Sequence, residues 1–341
     1  MKRTALFVFF ATVLPAQQYF TGQAARILIG QPVWSMQSEG ASDRLLGSIS
    51  GVAFANGNLY VADSNRLGAT PNNNRIMVYG NIASVMPGLR DELPVNDAVR
   101  CATCLGVATN VLGQVDFNTV TTDFTTVTPA NNQFRVPTGI AANSHMLAIA
   151  DTDNNRVLIW KSLPQDSNTN QPADLVIGQP DFASHKAGLG SNKLQAPAGL
   201  WLDSNDGLWV ADAGNNRVLY YGVPTKNGQD AILVLGQPDL NTDQQPKLVN
   251  QLPTVSTSTM LTPMSVTTDG VRLYVADMGF NRVLIWNSIP KSNAQAADVI
   301  VGQPDTTSWA ANNSSNLCES NGTDSTTNNP TYPQLCDMTI S

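Results

Sequence analysis

A segment that recurs four times leaves this chain few architectures to choose from. It reads Val275-Ala276-Asp277-Met278-Gly279-Phe280-Asn281-Arg282-Val283-Leu284-Ile285-Trp286. The copies are Ile149-Ala150-Asp151 to Arg156-Val157-Leu158-Ile159-Trp160, Val210-Ala211-Asp212 to Arg217-Val218-Leu219-Tyr220-Tyr221, and Val61-Ala62-Asp63 to Arg75-Ile76-Met77-Val78-Tyr79. Each copy lies inside a unit of four short apolar runs in fixed order. In the third unit they are residues 198–202, 208–211, 218–221 and 231–235, the last closing on Gly236-Gln237-Pro238. Such runs, bounded by Gly, Asn and Asp, are too short for helices and read as strands a to d. Asp203-Ser204-Asn205-Asp206-Gly207 has the composition of the hairpin turn that joins a to b.

The units repeat at roughly 60 residues, with a longer first interval, judged by Asp63, Asp151, Asp212 and Asp277. A repeated four-stranded antiparallel sheet cannot bury both faces alone, so its copies must stack. Radial stacking gives an all-β fold, a β-propeller of four-stranded antiparallel blades. The alternative is a β-solenoid, whose repeats are shorter and parallel. Composition agrees with many short strands: 42% of residues are hydrophobic and only 13% charged.

The pattern Pro-x-Gly, strand, Gly-x-Leu-(Trp/Tyr)-Val-Ala-Asp-x-x-Asn-Asn-Arg-Val resembles the NHL repeat, over about residues 25–305. Within that family it is similar to an exported bacterial type whose d strand ends Ile-Gly-Gln-Pro-Asp. The resemblance implies a propeller, often six-bladed. The namesake His is missing, with Arg-Val-Leu in its place, so the resemblance speaks for fold and not for chemistry.

The blades are expected at about 49–115, 137–180, 197–238 and 263–304 within a propeller spanning 17–305. Residues 25–31, Arg26-Ile27-Leu28-Ile29-Gly30-Gln31 among them, copy a d strand with no a to c before it. In a propeller such a strand completes the last blade, and residues 306–341 carry no further repeat. The expectation is an incomplete ring of the six-bladed type, with 306–341 a Ser/Thr/Asn-rich linker; a closed four-bladed ring is the rival. Residues 1–16, with Lys2 and Arg3 before the apolar run Ala5 to Leu14, read as a signal peptide. A secreted, periplasmic or cell-surface location follows from that reading, with no membrane insertion, since no later run approaches the length of a span. A net charge of -7 and a pI of about 4.7 argue against nucleic acid as a partner.

Strand direction alternates, so the b–c turns and d–a linkers share one face, and the a–b and c–d connections share the other. The long d–a linkers mark the first face as the expected recognition surface. Candidate binding residues there are Trp34 and Trp309 after the Gln-Pro turns, His185, and Asn65 and Arg66 in an insertion of the first b–c turn. The four Asp residues and Arg75, Arg156, Arg217 and Arg282 recur in every blade, which assigns them a structural role: each Asp caps its own turn and each Arg pairs across it. A catalytic site needs unlike groups converging once.

For catalysis there is little to use. His145 and His185 fall on opposite faces, and the strand-a residues lining the axis hold no ionisable side chain. No catalytic residue is assigned and no cofactor is required, although Asp203 and Asp269, at strand-a ends, could help bind a Ca ion. Four Cys suit two disulfides, Cys101–Cys104 and Cys318–Cys336, the second stapling a polar loop. The preferred functional expectation is an exported non-catalytic binding or scaffold propeller for a protein, peptide or glycan. The alternatives are a metal-dependent lyase or hydrolase with its site at the axis, and an extracellular structural or adhesive protein.

Overall fold

A computed structural model describes residues 25, 27–35, 38, 40–64, 73–85, 106–120, 128–164, 169–242, 254–311, 318–332 and 336. Four four-stranded antiparallel sheets carry the described fold, each in the order a-b-c-d. Blade 1 is β1 (Ile49–Ala55), β2 (Asn58–Asp63), β3 (Arg75–Tyr79) and β4 (Asn110–Leu112). Blade 2 is β5 (Pro137–Ala142), β6 (Leu147–Asp151), β7 (Arg156–Trp160) and β8 (Leu175–Ile177). Blade 3 is β9 (Pro197–Leu202), β10 (Leu208–Asp212), β11 (Arg217–Tyr220) and β12 (Leu233–Leu235); blade 4 is β13 (Pro263–Thr268), β14 (Leu273–Asp277), β15 (Arg282–Trp286) and β16 (Val299–Val301). The repeat thus forms the propeller blades its period requires, and not the coils of a solenoid.

Alternation along each strand sends one set of side chains to the preceding blade and the other to the following one. Blades 1 and 2 enclose Tyr60, Ile76, Val78 and Leu112 with Ile149, Leu158 and Trp160. Blades 2 and 3 enclose Ala148, Val157, Ile159 and Ile177 with Leu208, Val210 and Leu219; blades 3 and 4 enclose Trp209, Val218 and Leu235 with Val275, Leu284 and Trp286. The a strands β1, β5, β9 and β13 lie side by side along the axis. Their approach depends on glycine: a Cβ on Gly51 would overlap Thr138 O and one on Gly139 would overlap Ala198 O, while one on Gly199 would lie 2.6 Å from Met264 O. None of the three has a positive φ, so close approach and not backbone conformation selects them.

Polar latches repeat beside this core. Asn74, Asn155 and Asn216, all left-handed, accept the N–H of Val136, Ala196 and Thr262 on the next blade at 2.8, 2.9 and 2.8 Å. Those three are themselves at positive φ immediately before Pro137, Pro197 and Pro263, a conformation that costs a β-branched residue strain and that the latch holds in place. At the periphery, Gly228 N–H donates to Val176 O and Ala294 N–H to Val234 O, both at 2.9 Å, tying each c–d loop to the d strand before it.

The described blades form an arc. Val52 of β1 is 59% exposed, whereas its counterparts Ile140, Leu200 and Val266 are at 8%, 6% and 2%. On blade 4, Val299 and Val301 are exposed, whereas Leu175, Ile177, Leu233 and Leu235 are buried. Among the described residues, no blade covers either end. The N-terminal Ile29 and Leu46 pack on the other part of blade 1, against Val61, Met77 and Val111. Beyond blade 4, Gly322–Thr323 and Pro330–Thr331 pair as a small hairpin, and Cys318 bonds Cys336. Cys101, Cys104, Asn65, Arg66 and residues 1–16 lie outside the described residues.

Candidate functional site

The recurrent Asp and Arg are buried in all four blades. In blade 3, Arg217 Nε donates to Asp212 Oδ2 at 2.8 Å and Asn215 Nδ2 donates to the same oxygen at 2.8 Å; Asp212 Oδ1 accepts the Gln195 N–H at 2.7 Å. Asp63, Asp151 and Asp277 likewise pair with Arg75, Arg156 and Arg282. The carboxylate does not cap its own turn, which differs from the sequence expectation: the 3-10 turn after it has no side-chain cap, and the second oxygen reaches back to the linker ahead of strand a. The arginine extends this span. Arg217 Nη1 donates to Leu240 O in the outgoing linker at 2.7 Å, and Nη2 donates to Gly190 O and Lys193 O in the incoming one at 3.0 and 3.1 Å. Arg156 joins Phe182 O to Ala130 O and Gln133 O in the same way. Burial pushes the Asp151 and Asp212 carboxyls up against the pull of their guanidinium partners, and Asp277 up to about 6. In blades 1 to 3 the guanidinium is engaged through Nε, Nη1 and Nη2 by groups of the protein itself, which marks the pair as structural.

Of the expected binding residues, Trp34, His185 and Trp309 lie within the described structure. Trp34 is exposed near the N-terminus, His185 Nδ1 lies 3.4 Å from Ala183 O of its own loop, and the Trp309 carbonyl accepts Asn281 Nδ2 at 3.0 Å. His145, on the other face, lies 3.4 Å from Asp206 Oδ1.

A cavity of about 730 Å³ opens instead at the a–b end of the axis, where all four blades contribute. Phe54 comes from blade 1, Asn143 from blade 2, Trp201, Asp203 and Tyr220 from blade 3, and Asp269 from blade 4. Strand a places them: each sits within one residue of the end of a strand that runs along the axis, except Tyr220, which reaches in from β11 and stacks on Trp209 at 4.4 Å. Asp203 Oδ1 accepts the N–H groups of Asn205 and Gly207 at 2.8 and 2.9 Å, and Oδ2 accepts the Tyr220 hydroxyl at 3.0 Å. Burial, then Asp203, pushes the Tyr220 hydroxyl up to about 12, so it remains a donor at neutral pH. Asp269 accepts the N–H groups of Val271 and Arg272 at 2.9 and 2.7 Å and the Tyr274 hydroxyl at 2.9 Å. Led by the Arg272 and Val271 N–H groups, these bonds hold its carboxyl down at about 2.

These two carboxylates do not fit the Ca site considered from sequence. Each spends both oxygens on its own turn and a tyrosine, and no group of three or more His, Cys, Asp or Glu that could hold a metal assembles among the described residues. Trp201 and Tyr220, read from sequence as core strand residues, are the wall that reading missed. Strand alternation assigns a side chain to one face or the other, but not to the open end of the axis.

The fold defined by these blades is a β-propeller. No protein-family model matches the chain. It is 36% identical over 150 residues to the lactonase drp35 of Staphylococcus aureus (strain MRSA252), a stretch covering 41% of this chain and 42% of the lactonase, so the chain spans less than half the length of that relative. Among solved structures it aligns with a glutaminyl cyclase of Myxococcus xanthus, with a TM-score of 0.35 and 9% identity over 70% of this chain and 65% of that one. It also aligns with a catalytically inactive virginiamycin B lyase of Staphylococcus aureus crystallised with quinupristin, with a TM-score of 0.34 and 14% identity over 74% of this chain and 59% of that one. The similarity to a lactonase corrects the expectation of a non-catalytic binding or scaffold propeller. That expectation rested on the absence of ionisable groups along the a strands, which overlooks a site assembled just past their ends.

Proposed function

We propose that this chain is a propeller hydrolase that opens cyclic esters in the cavity at the a–b end of its axis. The similarity to a lactonase carries the reading, and the cavity supplies a place for it: apolar walls from Val52, Phe54, Ile140 and Trp201, and a polar floor from Asn143, Asp203 and Thr268. A cleft of this size, largely apolar with a few convergent polar groups, suits a small organic ring. The repeat is of NHL type on this reading, and the basic, then apolar N-terminus supports export. Among the described residues, the side chains at this cavity that could take a proton from water are carboxylates. The test is base consumption at constant pH with the purified chain and a panel of γ- and δ-lactones. Saturable turnover of at least one lactone is expected; rates equal to buffer across the panel refute the proposal.

A further inference from the structure

We infer that Asp203 is the general base of this cavity and that Tyr220 is its positioning residue, an assignment that rests on the hydrolase reading above. Hydrolysis of a cyclic ester by water needs a group that removes a proton as the water oxygen attacks the carbonyl carbon. Among the described residues two carboxylates line the cavity, and they differ. Asp269 is exposed and paired with Arg272 at 3.5 Å, and its carboxyl is held so low that it is a weak base. Asp203 is half-buried, lines the cavity with Trp201 and Tyr220, and has no cationic partner among the described ion pairs.

The hydrogen bonds of Asp203 orient it for the task. Two backbone N–H groups fix Oδ1, and the Tyr220 hydroxyl fixes Oδ2, so the carboxylate plane cannot turn. Oδ1 is filled by its two N–H donors, whereas Oδ2 accepts one hydroxyl and keeps a second lone pair, which accepts the water proton. Tyr220 is fixed in turn by its stack on Trp209, itself buried in the interface with blade 4. The chemistry balances without a further reactant. Water adds to the carbonyl carbon and its proton goes to Asp203; the tetrahedral oxyanion re-forms the C=O bond and breaks the ring C–O bond; the departing alkoxide takes the proton back from Asp203. The product is a hydroxy acid, whose proton is lost to solvent. That carboxylate then faces Asp203 and Asp269, and like charges favour its release. The same field selects substrates: uncharged lactones enter, and lactones that already bear a carboxylate are repelled.

The test uses the full chain. In Asp203→Asn the amide oxygen still accepts the two turn N–H groups, so the fold is kept while the base is lost. A fall in kcat of roughly 10²- to 10⁴-fold is expected, with an unchanged melting temperature. In Tyr220→Phe the carboxylate loses the donor that fixes Oδ2, so kcat falls while KM is unchanged, a split that a merely structural role would not produce. If the wild type turns lactones over and Asp203→Asn keeps more than half of kcat, this assignment is wrong and the hydrolase reading stands. A wild type inert toward every lactone overturns the hydrolase reading, and this assignment with it.

Discussion

Gly139 offers a direct test of how the blades approach. It has an ordinary backbone conformation, so any residue is permitted there by φ and ψ alone; what forbids a side chain is the Ala198 carbonyl of the next a strand, which a Cβ would overlap. That atom is backbone and cannot swing away as a side chain could. Blades 2 and 3 would have to separate along the axis, where Ala141, Leu200 and Leu202 are closely packed. Overpacking typically costs 1–3 kcal/mol, and the rigid obstacle places Gly139→Ala at the upper end, about 3 kcal/mol. At about 2–4 °C per kcal/mol for a chain of this size class, melting should fall by roughly 6–12 °C. Two controls separate sterics from backbone freedom. Ser265 holds the same position in blade 4, so Ser265→Ala should stay within about 0.5 kcal/mol. Gly270 has φ +91° but nothing within 4 Å of an added Cβ, so Gly270→Ala should cost only the backbone penalty of about 1–2 kcal/mol. Thermal unfolding followed by circular dichroism reads all three, and a Gly139→Ala shift below 2 °C, or one no larger than that of Gly270→Ala, would refute the reasoning.

Removing one half of a buried pair should be severe: Arg217→Leu is expected to cost about 3–5 kcal/mol in denaturant unfolding, and Arg217→Leu with Asp212→Leu less than the two single costs combined. The Asp269 carboxyl should titrate near 2 by carbon-13 NMR, and Tyr274→Phe should raise that midpoint. Because its folded pKa is depressed, its contribution to the blade 4 hairpin is present above the ordinary carboxylate range and is lost as pH falls toward 2. Reducing Cys318–Cys336 should speed amide exchange in the small hairpin while leaving the main melting transition in place, since the hairpin is almost wholly exposed.

Much of this architecture was legible from residue order. Period, strand order and the hairpin at Asp203–Gly207 follow from alternation and turn chemistry, which act locally; Cys318 and Cys336 were legible as a pair from their place in one polar loop. The pairing of Arg217 with Asp212 was also visible, but its grip on Leu240, Gly190 and Lys193 was not, because carbonyl acceptors leave no trace in side-chain identity. Val136 and Thr262 were missed for a related reason: nothing local favours a β-branched residue at positive φ, and the Asn that holds each belongs to the blade before. The cavity was the hardest part to see. Asp203 drew notice only as a turn residue, and its partner Tyr220 sits two strands away in the same blade, in a run that reads as ordinary core.

Because Arg75, Arg156 and Arg217 each tie the linker entering a blade to the linker leaving it, the first three blades divide into segments inside that circuit and segments outside it. The a–b and c–d connections lie outside that circuit. Extra sequence spliced in after Tyr221 should therefore leave the arginine circuit intact so long as Gly228 keeps its bond to Val176 O, whereas the same splice between Gly190 and Lys193 would unfasten two neighbouring blades at once. A protein wired in this way can acquire new surface on one side of its disc without renegotiating its framework, and that is the side on which the axial cavity opens.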